Sequence, residues 1–196
     1  MISLTLKERE TILLLFKELT TFYNSNSISK VLNISHVGAQ KIFKRLLKEN
    51  IVVSKTIGKS IIYKLNLDNE YVSKLVSFLL SDEANNNKLL KEEFKELYFK
   101  GNIVLLYGSI LKNFEKASDI DLMIISNDKN FEEINKIKKK KEDILPKRIH
   151  LIKISYNELL ENIKNKNKAL IGIIRNAIVL YNQEKYVEVL KNVSKL

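Results

Sequence analysis

Two acidic residues separated by one position, Asp119 and Asp121, are the feature of the sequence that points most directly to chemistry. They open an apolar run, Ile120 to Ile125, which predicts a β-strand. Because alternate side chains of a strand point to the same face, the two carboxylates project together. Carboxylates held this close repel each other unless a cation lies between them, and carboxylate oxygens are preferred ligands of Mg²⁺. The pair therefore predicts metal-assisted phosphoryl or nucleotidyl transfer.

A small-residue turn, Gly108-Ser109, ends a preceding apolar run, and nine residues separate it from Asp119. A glycine permits close backbone approach, and a hydroxyl with exposed N–H groups accepts anionic oxygens. The arrangement resembles the signature of the DNA polymerase beta-type nucleotidyltransferase superfamily, in its small prokaryotic minimal form. The resemblance implies that Gly108 and Ser109 bind the phosphates of a nucleoside triphosphate, and that Asp119 and Asp121 are catalytic residues that hold Mg²⁺. An ordinary polar strand end in an α/β unit is the alternative.

A third strand is predicted at Arg148 to Ile154, beside the strand that carries the acidic pair. In active members of the resembled family this strand supplies a third carboxylate. The matching position here is His150, and no acidic residue occurs between Asp143 and Glu158. A neutral imidazole is a poor Mg²⁺ ligand, and the general base expected to activate an attacking hydroxyl is missing. The resemblance extends from about Leu89 to Leu190 and predicts Mg²⁺-nucleotide binding with weak or no transfer.

The first third of the chain predicts three helices followed by a β-hairpin. Helical periodicity covers Leu6 to Tyr23, Ser27 caps a short second helix, and Ser35 caps a third that runs to about Glu49. Two β-rich runs follow with Gly58 in the loop between them. This order predicts a winged helix-turn-helix, and the stretch from Ser27 to Val52 resembles that of archaeal and bacterial transcription regulators.

The resemblance implies that the third helix enters the major groove of double-stranded DNA. Phe43, Leu46 and Leu47 are expected to pack inward. The residues predicted to reach bases or phosphates are polar or basic: Ser35, His36, Gln40, Lys41, Lys44 and Arg45 on the helix, and Lys59 at the tip of the wing. Residues 1–68 contain eleven Lys or Arg against five Asp or Glu, which favours an anionic partner. A solvated helix surface is the alternative, because runs of charge usually form one.

The composition of the chain limits the classes of protein to which it can belong. The chain has 196 residues, a formal net charge of +11 and no cysteine, so disulfides and thiolate metal sites are excluded. Its apolar content of 45% excludes a disordered chain. No apolar run approaches the roughly 20 residues that span a bilayer. These features, and a start without the order of a signal peptide, predict a cytoplasmic protein with no membrane partner.

The predicted fold is a two-domain α+β protein, with a winged helix-turn-helix at 1–68, a connecting helix and hinge at 69–88, and a nucleotidyltransferase-like domain with a mixed sheet and flanking helices at 89–196. The connecting helix is too apolar for a free linker; pairing with its copy in a homodimer is favoured over packing on the wing domain. Three functions remain open. The first is a DNA-binding transcription regulator whose C-terminal domain senses a nucleotide or serves assembly. The second is an active nucleotidyltransferase that modifies a protein or other acceptor, as antitoxin members of the family modify their toxin partners, and is recruited to DNA by the winged helix. The third is an interaction module in which both halves are degenerate. The missing third carboxylate favours the first over the second, and the intact Gly-Ser turn and acidic pair argue against the third.

Overall fold

The computed structural model describes residues 3–127 and 130–193. The chain divides into two compact units, the first ending at Leu79 and the second beginning at Leu80. In the described part, the first unit contains a two-stranded sheet and the second a four-stranded mixed sheet. The protein is therefore of the α+β class. None of the described helices is long and apolar enough to cross a membrane.

The first unit has the predicted order of three helices and a hairpin. Its elements are α1 (Leu6–Lys17), α2 (Ser25–Val31), α3 (His36–Lys48), β1 (Val52–Ile57) and β2 (Ser60–Leu65), with the two strands antiparallel. The side-chain oxygens of Thr5, Asn24 and Ser35 accept hydrogen bonds from the first turns of the three helices. Gly58, at φ +59°, makes the turn between the strands, a conformation that glycine adopts without steric cost.

Two predicted helix bounds in this unit are wrong. The first helix ends at Lys17, because the following segment leaves helical geometry and Tyr23 pairs with Tyr63 in an isolated β-bridge. The second helix is capped by Asn24, whose Oδ1 accepts the backbone N–H of Ser27. The hydroxyl oxygen of Ser27 in turn accepts the backbone N–H of Asn24, so Ser27 is the third residue of a capping box rather than the cap. The second error arises because Asn24 and Ser27 are both polar residues able to hydrogen-bond the backbone of a first helical turn.

The second unit is organised around four strands, β3 (Ile103–Tyr107), β4 (Asp119–Ile125), β5 (Arg148–Ile154) and β6 (Ile178–Tyr181), in the order β5-β4-β3-β6. Strand β3 runs antiparallel to β4 and β6, whereas β5 is parallel to β4. The last residue of β3 and the first residues of the other three strands therefore lie at the same end of the sheet, which we call the site end.

The helices that accompany this sheet are α4 (Glu70–Asn85), which crosses the boundary between units, α5 (Lys88–Glu93), α6 (Phe131–Glu142), α7 (Tyr156–Lys164), α8 (Lys168–Asn176) and α9 (Gln183–Val193). Helix α5 ends at Glu93, and a 3₁₀ turn follows at Lys95–Leu97. Phe94 and Leu97 both lie in the core, and side chains three apart eclipse in 3₁₀ geometry.

Alternation along the strands divides the sheet into two faces. Leu106, Ile120 and Leu122 are buried in one core with Phe94 and Ile134 from the flanking helices. Residues at the intervening positions of the strands point to the opposite face. Within β4, this alternation places Asp119 and Asp121 on the face opposite to Ile120 and Leu122.

Helix α6 contains four consecutive lysines at positions 138–141, and acidic side chains neutralise most of their charge. Lys141 lies 2.9 Å from a carboxylate oxygen of Glu93 and 3.0 Å from one of Glu96, and Lys140 also contacts Glu96 at 3.2 Å. These ion pairs connect α6 to α5 and the 3₁₀ turn that follows it. The run therefore has a structural role in this unit.

Candidate functional site

The acidic pair lies at the site end with both side chains on one face of β4. Ile120 and Leu122 are almost fully buried in the opposite direction, whereas Asp119 and Asp121 are partly exposed. In the register of the parallel strands, Asp119 pairs with Arg148 and Asp121 with His150. On the other side, Asp121 pairs with Tyr107 at the end of β3. The site end therefore gathers two carboxylates, a guanidinium, an imidazole and a phenol on neighbouring strands.

Gly108 and Asp121 are in direct contact across β3 and β4. Gly108 has φ +86° and ψ −161°, a region that residues with a side chain avoid. A Cβ atom built on Gly108 would lie 2.0 Å from Oδ2 of Asp121, so the carboxylate occupies the space where a side chain would go. The turn and the acidic pair thus form one continuous surface. Ser109 follows with an exposed side chain at the start of a short 3₁₀ turn.

The remaining polar contacts at the site end involve both aspartates. The hydroxyl of Ser118 donates to Oδ2 of Asp119 at 2.8 Å. His150 has its Nδ1 atom 3.5 Å from Oδ1 of Asp121, and its side chain is 60% exposed. Burial, and then the charge of Asp121, raise the pKa of the Tyr107 hydroxyl. Oδ1 of Asp121 therefore faces an imidazole rather than another carboxylate.

The donor set at the site end fits a Mg²⁺ ion that arrives with a nucleotide. Within the described residues, no group of three or more His, Cys, Asp or Glu side chains is placed to hold a metal. Mg²⁺ is usually held by one or two carboxylates together with waters and substrate phosphates. Asp119 and Asp121 are the residues that would hold it, and the ion would supply charge neutralisation at the phosphate.

A lysine that sequence reasoning missed fixes the loop between the turn and the acidic pair. Nζ of Lys147 donates to the backbone carbonyl of Ala117 and lies 5.3 Å from the centre of the Phe114 ring. Within the loop, Asn113 accepts the backbone N–H of Lys116 at 3.0 Å. The only sequence signal is the position of Lys147, between the single proline and β5. The lysine connects the loop to the start of the neighbouring strand.

In the first unit, α3 presents one exposed face whose members follow helical spacing: Val37, Gln40, Lys41, Lys44 and Lys48. Phe43 and Leu46 are fully buried on the opposite side, and Phe43 stacks on Tyr63 with ring centroids 3.8 Å apart. Leu47 is 37% exposed, so its expected inward packing is wrong. His36 and the wing residue Lys59 are also exposed.

Two predicted DNA contacts already have partners within the protein. Nη1 of Arg45 lies 3.1 and 3.0 Å from the two carboxylate oxygens of Glu8, whose side chain is only 4% exposed. Nη2 of Arg45 also donates to the backbone carbonyl of Ser3 at 2.5 Å. The hydroxyl of Ser35 accepts the backbone N–H of Gly38 at 3.0 Å. Arg45 thus connects α3 to α1, and Ser35 caps α3.

A match to a known protein family lies within the second unit. A family model described as Polymerase beta, Nucleotidyltransferase matches residues 87–186. Among solved structures, the crystal structure of the adhesin competence repressor AdcR from Streptococcus pyogenes has 20% sequence identity and a TM-score of 0.36, covering 46% of this chain and 68% of its own. A similarity this weak carries no argument. The search of curated proteins gave no match. Because the family model spans just over half of the 196 residues, the chain belongs to the polymerase beta-type nucleotidyltransferase family.

Proposed function

We propose that the second unit binds a nucleoside triphosphate with Mg²⁺ at the site end and transfers its nucleotidyl group weakly or not at all, while the first unit binds double-stranded DNA as a transcription regulator. The observation that carries the nucleotide part is the contact between Gly108 and the carboxylate of Asp121. A turn able to accept phosphate oxygens and a pair of metal ligands lie side by side.

Weak transfer follows from the strand next to the acidic pair. His150 is the register partner of Asp121, at the position where active members of the family place a further carboxylate. An imidazole offers no negative charge to a second cation, and a protonated one repels it. A metal–nucleotide complex needs only the two aspartates, whereas activation of an acceptor hydroxyl needs a base as well. Binding is therefore retained in this proposal while turnover is lost.

The family membership favours a second candidate, an active enzyme that transfers a nucleoside monophosphate to a protein or another acceptor and is recruited to DNA by the first unit. In this candidate, both aspartates and the Gly108-Ser109 turn serve chemistry as well as binding. Incubation with nucleoside triphosphates labelled at the α-phosphate separates the two functions. Label that becomes covalently attached to an acceptor, and is lost in Asp121→Asn, would establish transfer and overturn the weak-transfer proposal.

The DNA part rests on the charge of α3. The helix carries four basic residues and no acidic one over His36–Lys48. Lys41 and Lys44 are exposed on the same face, where they suit phosphate contacts. Arg45 is omitted from this set because its guanidinium holds Glu8. The homodimer and the cytoplasmic location stay predictions.

The nucleotide proposal is tested by replacing one aspartate at the site and one elsewhere. Asp119→Asn removes the charge of one proposed metal ligand and should abolish Mg²⁺-dependent nucleotide affinity. Asp143→Asn removes the same charge from an exposed position at the end of α6 and should leave affinity unchanged. Equal affinity in the wild type and Asp119→Asn would contradict the proposed site.

A further inference from the structure

The exposed face of α3 contains an apolar side chain where a purely electrostatic DNA contact would need none. Val37 is the second residue of the helix and its side chain is 58% exposed. Gln40 is exposed one turn later, and the lysines come after it at positions 41, 44 and 48. The chemistry of the exposed face therefore changes along the helix: its N-terminal part carries an apolar side chain and an amide, and its C-terminal part carries the lysines.

The spacing of these two side chains is of the same order as that of stacked base pairs. Residues three apart lie on the same side of a helix and are separated by about 4.5 Å along its axis. Successive base pairs of B-DNA are separated by about 3.4 Å. The residues between them are Gly38 and Ala39, which carry small side chains, and Ala39 is buried. Val37 and Gln40 are thus able to meet neighbouring base pairs without a bulky side chain between them.

The chemistry of both side chains selects the same kind of base pair. In the major groove, the amide of Gln bonds the N6 and N7 atoms of adenine, and apolar side chains contact the C5-methyl group of thymine. The lysines further along α3 are suited to phosphate contacts. Such contacts set affinity and orientation but do not read the base sequence directly. The absence of acidic residues from α3 makes DNA the partner whose charge the whole face complements.

Given the DNA-binding function proposed above, on which this inference rests, we propose that α3 reads adjacent A·T pairs, with Gln40 bonded to adenine and Val37 packed against a thymine methyl group. Base preference then depends on the start of α3, and affinity that is independent of sequence depends on its lysines.

The test uses the full chain and duplexes selected from a random library at one fixed salt concentration. Replacing the selected A·T pairs by G·C should weaken wild-type binding by roughly 5- to 150-fold, and this loss should shrink markedly in Gln40→Ala. Replacing thymine by deoxyuridine removes only the methyl group and should weaken wild-type binding about fourfold. Val37→Ala should show a smaller difference between the two duplexes, because its shorter side chain makes less contact with the methyl group.

Val31→Ala is the matched control, because Val31 is 54% exposed on α2 and outside the α3 face. It should keep the wild-type response to deoxyuridine. Circular dichroism and thermal midpoints verify that each variant folds. Binding without base preference, or with a preference that survives both Gln40→Ala and Val37→Ala, would overturn the A·T inference alone. Failure to bind any duplex from low to moderate salt would overturn the proposed DNA function and the inference with it.

Discussion

Replacing Gly108 by alanine should damage the candidate site through one identifiable contact. The new Cβ atom would lie 2.0 Å from Oδ2 and 2.9 Å from Cγ of Asp121, well inside the 3.4 Å at which ordinary contact begins. The carboxylate must therefore move by more than an ångström. Because Asp121 is a proposed metal ligand, we expect Mg²⁺-dependent nucleotide affinity to fall by about 10- to 100-fold or more.

Stability should fall as well, and Gly58 provides the matched control. The backbone of Gly108 lies in a region essentially restricted to glycine, where another residue costs about 1–3 kcal/mol. Gly58 also has a positive φ, but a Cβ atom there meets nothing within 4 Å. Gly58→Ala should cost about 1–2 kcal/mol and leave nucleotide binding unchanged.

Denaturant unfolding and calorimetric nucleotide titration measure the two effects, and a double-mutant cycle assigns them to the contact. In an Asp121→Ala background the clash with the carboxylate is absent, so Gly108→Ala should lower stability by less than it does in the wild type. Additive effects of the two substitutions would refute the contact. Normal Mg²⁺-nucleotide affinity in a folded Gly108→Ala protein would refute the proposed role of Gly108 beside a metal ligand.

Four other substitutions test side chains and a helix position outside the nucleotide site. Arg45→Ala should lower the free energy of unfolding by about 1–2 kcal/mol, because it leaves the buried carboxylate of Glu8 without its guanidinium partner. Lys44→Ala should leave stability unchanged and reduce the slope of log K for DNA binding against log salt by about 0.9. The reverse pattern would contradict the assigned roles. Hydrogen bonds from Lys141 and then Lys140 hold the pKa of Glu96 below its ordinary value, so their stabilisation is present above about pH 4.5 and lost as the pH falls. Chemical unfolding at pH 6 and pH 3.5 should therefore show a smaller acid-induced loss in Lys141→Met than in the wild type, and equal losses would exclude this pair as a source. Gly172→Ala should stabilise the protein by about 0.5–1 kcal/mol and so raise its thermal midpoint, because Gly172 lies inside α8 and a Cβ atom there meets nothing within 4 Å. A lower midpoint would contradict this expectation.

The correct predictions came mainly from two local signals: the alternation of apolar and polar residues along strands, and the residue types at turns and helix caps. The apolar positions of β4 indicated a strand with both aspartates on one face, and the strand at Arg148–Ile154 lies beside it in parallel register. Ser35 caps α3 as expected, and the helix ends at Lys48, one residue before the predicted end at about Glu49. Asn50, at φ +54°, then turns the chain away from the helix. These signals are local, so a single sequence contains them.

Contacts between distant residues were not predictable in the same way. Glu8 and Arg45 are 37 positions apart, and nothing in either helix's periodicity identifies the other as its partner. Lys147 reaches a carbonyl 30 positions earlier, at Ala117. The first helix was overextended because Tyr23 continues the spacing of Phe16, although it pairs with a strand residue instead. In each case the local sequence allowed several arrangements, and tertiary packing determined which of them formed.

Calorimetric titration of the whole protein with ATP and the other nucleoside triphosphates, with and without Mg²⁺, measures whether the site end binds a nucleotide through the metal. We expect micromolar binding of at least one nucleotide that requires Mg²⁺ and disappears in Asp119→Asn. Absence of binding with Mg²⁺ present, or binding of equal strength without it, would contradict the proposed nucleotide binding.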